Sequence, residues 1–351
     1  EILDGSSGNT KVVNIKVEEK PTGEISLGAG VGTSGSTLGG GLKEKNFLGK
    51  GINLDTNLEI SEESIKGKVV YARPNFNYSD NTLFTSLEST TTDNLSDFGY
   101  KVSNTGFSIG TEFEQYENLF FNPEIDISIE DLETNSSASS ALKKQEGNYE
   151  DFYFNYGLNY DLRNSKFRPS SGNKTSFYQE LPIISGNNEI SNIFVFTQYK
   201  NLNQETSMIG KASFYMKAIN SLDGSDVRIS KRAQVPYNRL RGFEKGKVGP
   251  LDGSDHIGGN YAAALNFEVN LPNFLPEATG TDVGFFLDFA NVWGVDYDSS
   301  IDDSNKIRSS TGAMMNWNSP LGPMSFTFST NLSKASTDVT ESFNFQLGTT
   351  F

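Results

Sequence analysis

Catalysis needs a nucleophile, a base or a set of metal ligands, and this chain offers few of them. It has no cysteine and one histidine, His256, so thiolate, iron–sulfur and Cys-based zinc chemistry are excluded and a Ser/His/Asp relay has a single candidate base. His256 directly follows Asp252-Gly-Ser-Asp255, a polar turn sequence rather than a rigid seat for a base. Two Leu-Asp-Gly-Ser-Asp copies, at 222–226 and 251–255, space their carboxylates as a Ca²⁺ loop can, and as ordinary turn chemistry also does. GAGVGTSG (28–35) precedes no helix and is no phosphate loop. No catalytic residue, metal or cofactor is therefore expected. What remains is ionic: the triplet Arg241-Gly242-Phe243, and two carboxylates, Glu268 and Asp288, set in otherwise apolar runs. A guanidinium can bridge two carboxylates through charge-assisted hydrogen bonds. Whether these three meet, or stay separately solvated, depends on the elements that carry them.

Composition bounds those elements first. The 351 residues hold 29 Lys+Arg against 44 Asp+Glu, a net charge of −15 without a basic cluster, which argues against a nucleic-acid partner. No stretch approaches the roughly 18 to 20 apolar residues of a transmembrane helix. Period-two alternation, by contrast, recurs nearly throughout. Phe343, Phe345, Leu347, Thr349 and Phe351 point one way, while Ser342, Asn344, Gln346, Gly348 and Thr350 point the other. Ile52, Leu54, Thr56, Leu58 and Ile60 are likewise set against Asn53, Asp55, Asn57, Glu59 and Ser61, and 324–332 repeats the pattern.

Further runs lie at 65–71, 107–114, 119–130, 152–162, 175–181, 208–218, 261–271 and 283–293, with less clean ones at 190–199 and 308–317. Adding the Gly-rich 24–32 and 36–45 and a weaker run at 82–92 gives sixteen strands, an even number that closes without an edge. The chain is long and polar at 93–104, 131–149, 219–257 and 294–307, but short at 46–50, 115–118, 201–205 and 318–321. Long loops on one side and short turns on the other predict an all-β, 16-stranded antiparallel transmembrane barrel at 24–351, its 26 Phe and 14 Tyr sufficient for interfacial girdles. A soluble sandwich or propeller also alternates, but explains neither the polar second face nor the loop asymmetry. In the twelfth strand Leu265, Phe267 and Val269 then face lipid and Asn266 and Glu268 the lumen. In the thirteenth, Phe285, Leu287 and Phe289 face lipid and Asp288 the lumen. Both carboxylates thus line adjacent strands, and the loop bearing Arg241 is long enough to fold back inside.

Residues 1–23 differ. Val12, Val13, Ile15 and Val17 read as one strand ended by Pro21 and Gly23, too short to bury a core. The missing initial Met and signal peptide suggest a mature or truncated chain.

Five motifs, in order, resemble the barrel-assembly members of the bacterial surface antigen superfamily. EKPTGEISLGAGVGTSGSTLGGGLKEKNFLGKG (19–51) is similar to their junction from the last periplasmic POTRA domain into the first two strands. FRPSSGNK (167–174) resembles the turn before their ninth strand. RLRGFEKGKVGP (239–250) resembles the motif of their long sixth extracellular loop, FFLDFANVW (285–293) their thirteenth strand, and ESFNFQLGTTF (341–351) their aromatic-ended last strand. The resemblance implies that 1–23 is the end of a truncated POTRA domain and that the Arg241 loop folds into the lumen. It implies a location in the outer membrane of a Gram-negative bacterium. The implied partners are the lipid bilayer, unfolded outer-membrane barrel proteins and accessory assembly lipoproteins.

One further feature bears on that function. On the first strand Ile25, Leu27, Ala29 and Val31 face outward, leaving Ser26, Gly28, Gly30 and Gly32 on a nearly bare lumenal face, with Gly39, Gly40 and Gly41 following in the second. Glycine in a strand gives nothing to pack, so pairing should be weak where this strand meets the last, bearing Phe343, Phe345, Leu347 and Phe351, with Ala29 and Leu347 as near neighbours. A tight glycine-lined corner would use the same residues. A weak seam suits a protein that opens its wall to fold and insert other barrels. A polypeptide secretion pore of the same superfamily and a passive porin are the alternatives.

Overall fold

The computed structural model describes residues 2–348 apart from 5, 6, 8, 9, 186, 187, 204, 206, 272, 273, 276–279, 303–305, 320 and 321. Phe351 lies outside the described residues. Sixteen antiparallel strands close into one barrel: β1 (Gly23–Gly32), β2 (Gly35–Phe47), β3 (Ile52–Ser61), β4 (Ser64–Arg73), β5 (Thr82–Asn94), β6 (Tyr100–Tyr116), β7 (Leu119–Thr134) and β8 (Gly147–Asp161). The second half comprises β9 (Gly172–Ile184), β10 (Glu189–Asn203), β11 (Met208–Ser221), β12 (Tyr261–Leu271), β13 (Thr281–Trp293), β14 (Arg308–Ser319), β15 (Gly322–Ser333) and β16 (Phe343–Gly348).

The alternation sets the faces as expected. Leu27 is 85% exposed on the outer wall and Phe285 53%, whereas Asp288 is 0% and Asn266 3% exposed on the inner one. Outward apolar groups such as Leu27 and Phe285 meet acyl chains.

Two expectations need correction. The polar stretch 93–104 is not a long loop, because β5 continues to Asn94 and β6 begins at Tyr100, paired residue for residue. Above the bilayer both wall faces are wet, so the ladder continues while the apolar pattern fades. Thr91 and Ser103 pair hydroxyls at 3.2 Å there, and Lys101 lies 3.7 Å from Glu133. The strand expected from Val12 to Val17 ends at Val13: Lys11–Val13 pairs with a second short strand, Ile2–Asp4, while Ile15 and Val17 are 79% and 90% exposed. A three-residue partner strand without a core beneath it supports no longer ladder.

The interior is filled by the segment 222–260 between β11 and β12. Its chain packs an apolar cluster of Ala233, Leu240, Phe243 and Val248 against the small lumenal side chains Ala262, Ala264 and Ala290. A second cluster, including Phe98, Leu132, Leu142, Ile229 and Ile257, roofs the barrel between the loops at the same end.

Candidate functional site

Arg241 lies inside the barrel, 8% exposed, and its guanidinium bridges the two predicted carboxylates. Nη2 and Nε donate to Asp288 Oδ1 and Oδ2 at 2.7 and 2.8 Å, and Nη1 stands 3.0 Å from Glu268 Oε1. The Arg241 main-chain N–H adds a bond of 3.1 Å to Asp288 Oδ2. Alternation brings this set together, since Asn266 pairs with Asp288 and Glu268 with Phe286 across β12 and β13, all on the lumenal face. Asn266 Nδ2 donates to Asp288 Oδ1 at 2.8 Å and to the Arg239 carbonyl at 2.7 Å, while Lys211 Nζ donates to Glu268 at 3.0 Å. The guanidinium carbon sits 3.9 Å from the centroid of Phe286, a cation–π contact on a ring whose neighbours Phe285 and Leu287 face lipid. Phe286, Lys211 and the polar contacts below escaped the sequence reading, although the alternation places Phe286 inward.

The two residues after Arg241 extend the anchor toward the last strand. Gly242 has φ of 91°, a conformation that side chains strain, and a Cβ there would press on the Ser329 side chain at 3.1 Å. Its carbonyl accepts from Glu341 N at 3.1 Å and from Asn331 Nδ2 at 2.8 Å. Phe243, 1% exposed, bridges Thr340, and Glu244 N and Val339 N exchange bonds with Val339 O and Lys247 O at 3.0 and 3.2 Å. The loop therefore forms a short ladder with the residues that lead into β16. His256 closes the same contact through its Nε2, 3.1 Å from the Thr337 carbonyl. Burial pushes its pKa below the usual imidazole value, opposed by the Thr337 carbonyl and Asp338 and reinforced by the positive charges of Lys247 and Arg308.

The first Asp of each Leu-Asp-Gly-Ser-Asp copy is engaged by hydrogen-bond donors. Asp223 Oδ1 accepts from Ser225 N at 3.0 Å and from Ser221 Oγ at 2.9 Å, and Asp252 Oδ2 accepts from Tyr297 at 2.8 Å. No cluster of three or more potential metal ligands occurs among the described residues.

At the seam, β16 pairs with β1 at three positions among the described residues, Gln346 with Gly32, Leu347 with Val31 and Gly348 with Gly30, whereas β15 and β16 share five. Leu347 thus stands opposite Val31, not Ala29. The glycines do more than leave the lumenal face bare. A Cβ on Gly32 would lie 2.6 Å from the Phe345 carbonyl oxygen, so there the two backbones approach more closely than a side chain permits, and one on Gly30 would sit tightly, 3.3 Å from that of Leu347. Gly28 lies beyond the described pairs, opposite Gly39 of β2. Phe343 packs on Phe328 of β15 at 5.0 Å between centroids and stacks with Phe345 at 6.4 Å. The terminal strand's aromatics therefore hold it to β15 more than to β1.

Residues 46–351 match the Omp85 superfamily domain. The outer membrane protein assembly factor BamA of Neorickettsia risticii is 23% identical over 321 residues, covering 90% of this chain and 43% of that protein. The same factor of Neisseria meningitidis is 23% identical over 409 residues, covering 97% and 48%. The chain thus spans less than half the length of both curated relatives. The crystal structure of BamA from Haemophilus ducreyi lacking POTRA domains 1–3 superposes with a TM-score of 0.87 at 24% identity, covering 95% of this chain and 71% of that one. With the family domain running from β2 to the C-terminus over a closed barrel of sixteen strands, the chain belongs to the Omp85 superfamily.

Proposed function

We propose that this barrel is the membrane core of an assembly factor that folds and inserts other β-barrel proteins into the outer membrane of a Gram-negative bacterium, acting through the seam between β1 and β16. The observation that carries the reading is the seam itself, where β1 and β16 pair at three positions among the described residues and the Thr33 N–H donates to the Phe345 carbonyl at 3.1 Å. In lipid a bare main-chain polar group costs several kcal/mol, so the seam stays shut until an incoming strand supplies partners. Each main-chain bond is worth about 0.5 to 1.5 kcal/mol net, so exchanging so few of them lets an incoming strand offset nearly the whole cost of opening. No enzymatic step is needed. The names borne by the curated relatives support the same reading, and accessory lipoproteins would dock outside the barrel. The buried loop in the lumen speaks against a passive porin.

Because these 351 residues hold no cysteine, the pair Val31→Cys with Leu347→Cys, opposite each other in the register, can lock the seam selectively. In the full-length protein reconstituted in liposomes, oxidation should abolish insertion of a client barrel and reductant should restore it. Full insertion with a quantitatively locked seam would eliminate the mechanism. Export of a polypeptide through the locked protein would favour a secretion pore.

A further inference from the structure

The lumenal loop carries another arginine in a setting that parallels that of Arg241. Arg228 is 0% exposed, and its Nη2 donates to Asp151 Oδ2 of β8 at 2.7 Å while Nη1 stands 3.4 Å from Glu130 Oε1 of β7. Its main-chain N–H donates to Glu189 Oε1 of β10 at 2.5 Å, and its guanidinium carbon lies 4.1 Å from the centroid of Tyr149. The neighbouring residues repeat the attachment. Ile229 N donates to Gln145 Oε1 at 2.8 Å, Ser230 Oγ to Glu130 Oε1 at 2.6 Å, and Lys231 Nζ lies 3.9 Å from Asp151. The three wall carboxylates are themselves buried, at 4% exposure or less, so each depends on the loop for its compensating charge.

We propose that Arg228 is a second positioning residue of the loop, holding it to β7, β8 and β10 independently of the hold of Arg241 on β12 and β13. Each arginine lies on an aromatic ring between two wall carboxylates, and no residue is shared between the two sets. The loop therefore spans the lumen as a brace between two arcs of the wall. Among its other ionic ties, Lys245 to Glu63 at 3.6 Å and Lys247 to Asp97 at 2.7 Å involve half-exposed carboxylates and are screened, and Arg232 reaches Asp296 only at 3.9 Å, on a carboxylate open to solvent. The brace consequently has its strong points at Arg228 and Arg241.

Single cysteines in the cysteine-free chain can report on each end. Val227→Cys, at a position 0% exposed beside Arg228, and Leu240→Cys, at one 3% exposed beside Arg241, are exposed to a membrane-impermeant maleimide in the folded, liposome-reconstituted protein. Arg228→Gln should raise the labelling rate of Val227→Cys at least about tenfold and leave Leu240→Cys protected, and Arg241→Gln should do the reverse. Asp151→Asn, which attacks the first anchor from the wall, should reproduce the Arg228→Gln pattern, and Arg228→Lys should restore part of the protection. Heat-modifiability of the barrel establishes that each variant is folded. Should Arg228→Gln not fold, Asp151→Asn and Arg228→Lys carry the same test. Continued protection of Val227→Cys in folded Arg228→Gln or Asp151→Asn overturns the anchor. Simultaneous exposure of both reporters overturns its independence.

Discussion

Replacing Arg241 by Met keeps much of the aliphatic stem and removes the charge, which isolates the ionic part of the anchor. Asp288, 0% exposed, would retain only Asn266 Nδ2 and the main-chain N–H of residue 241, whereas Glu268 would keep Lys211 at 3.0 Å. Breaking one side of a buried pair costs about 3 to 5 kcal/mol, and the lost stacking on Phe286 adds to it, while lumenal water entering the vacated site offsets part. A net cost of about 3 kcal/mol corresponds to a population of undocked loop about 150-fold larger, since about 1.4 kcal/mol is a factor of ten. Hydrogen exchange read by mass spectrometry over 239–247 and 337–342 measures that population directly, because the amides of Glu244, Val339 and Glu341 are bonded between loop and lead-in. Exchange should accelerate about 100-fold in both peptides and stay unchanged in β7 and β8. Replacing the stranded partner as well, in Arg241→Met with Asp288→Leu, should return most of the protection. Exchange in 239–247 that stays within about threefold of the parent protein would refute the reasoning, because the loop would then be held by packing alone.

Two further outcomes follow from the same contacts. His256 is held neutral below its ordinary pKa, so between that lowered value and the ordinary 6.5 the undocked loop binds the extra proton; docking is complete above 6.5 and weakens as pH falls below it. The protection at 337–342, taken relative to the intrinsic exchange rate at each pH, should therefore fall on acidification from pH 7 to 5, and His256→Gln should flatten the response. Gly32→Ala places a Cβ 2.6 Å from the Phe345 oxygen and 3.3 Å from Gln346 Cα, so β16 must shift, and the oxidation yield of the Val31→Cys and Leu347→Cys pair should fall. Gly67→Ala, where a Cβ meets nothing within 4 Å, is the control that should leave the yield unchanged.

The strands were legible because a bilayer outside and water inside impose a strict period of two, visible in runs such as Leu265-Asn266-Phe267-Glu268 without any knowledge of partners. The same rule hid the upper ends of β5 to β7, where Asp93, Lys101, Ser103 and Asp131 belong to a polar stretch in which the period carries no contrast. Arg241 with Glu268 and Asp288 could be proposed because two of the three sit on strands whose faces are known and the family resemblance implied a lumenal place for the loop that bears the third. Arg228 sits in a stretch with no period, and its partners Glu130, Asp151 and Glu189 lie on three different strands, so their convergence depends on barrel closure and on the path of the loop. The close backbone approach at Gly32 was equally invisible, since a bare face and a crowded one have the same sequence.

The glycine edge has a bearing on selectivity. Across β1 the positions that face the lumen at Gly28, Gly30 and Gly32 present no side chain, so a strand laid against them meets only main-chain donors and acceptors there. Such an edge transmits no information about which residues the newcomer carries on that face. Discrimination is left to the outward positions Ile25, Leu27 and Val31, which respond to oiliness rather than to identity. On the proposed reading one machine can therefore serve a clientele of unrelated sequences, and each client is free to diverge wherever its own channel or pocket demands, provided that it keeps one apolar face.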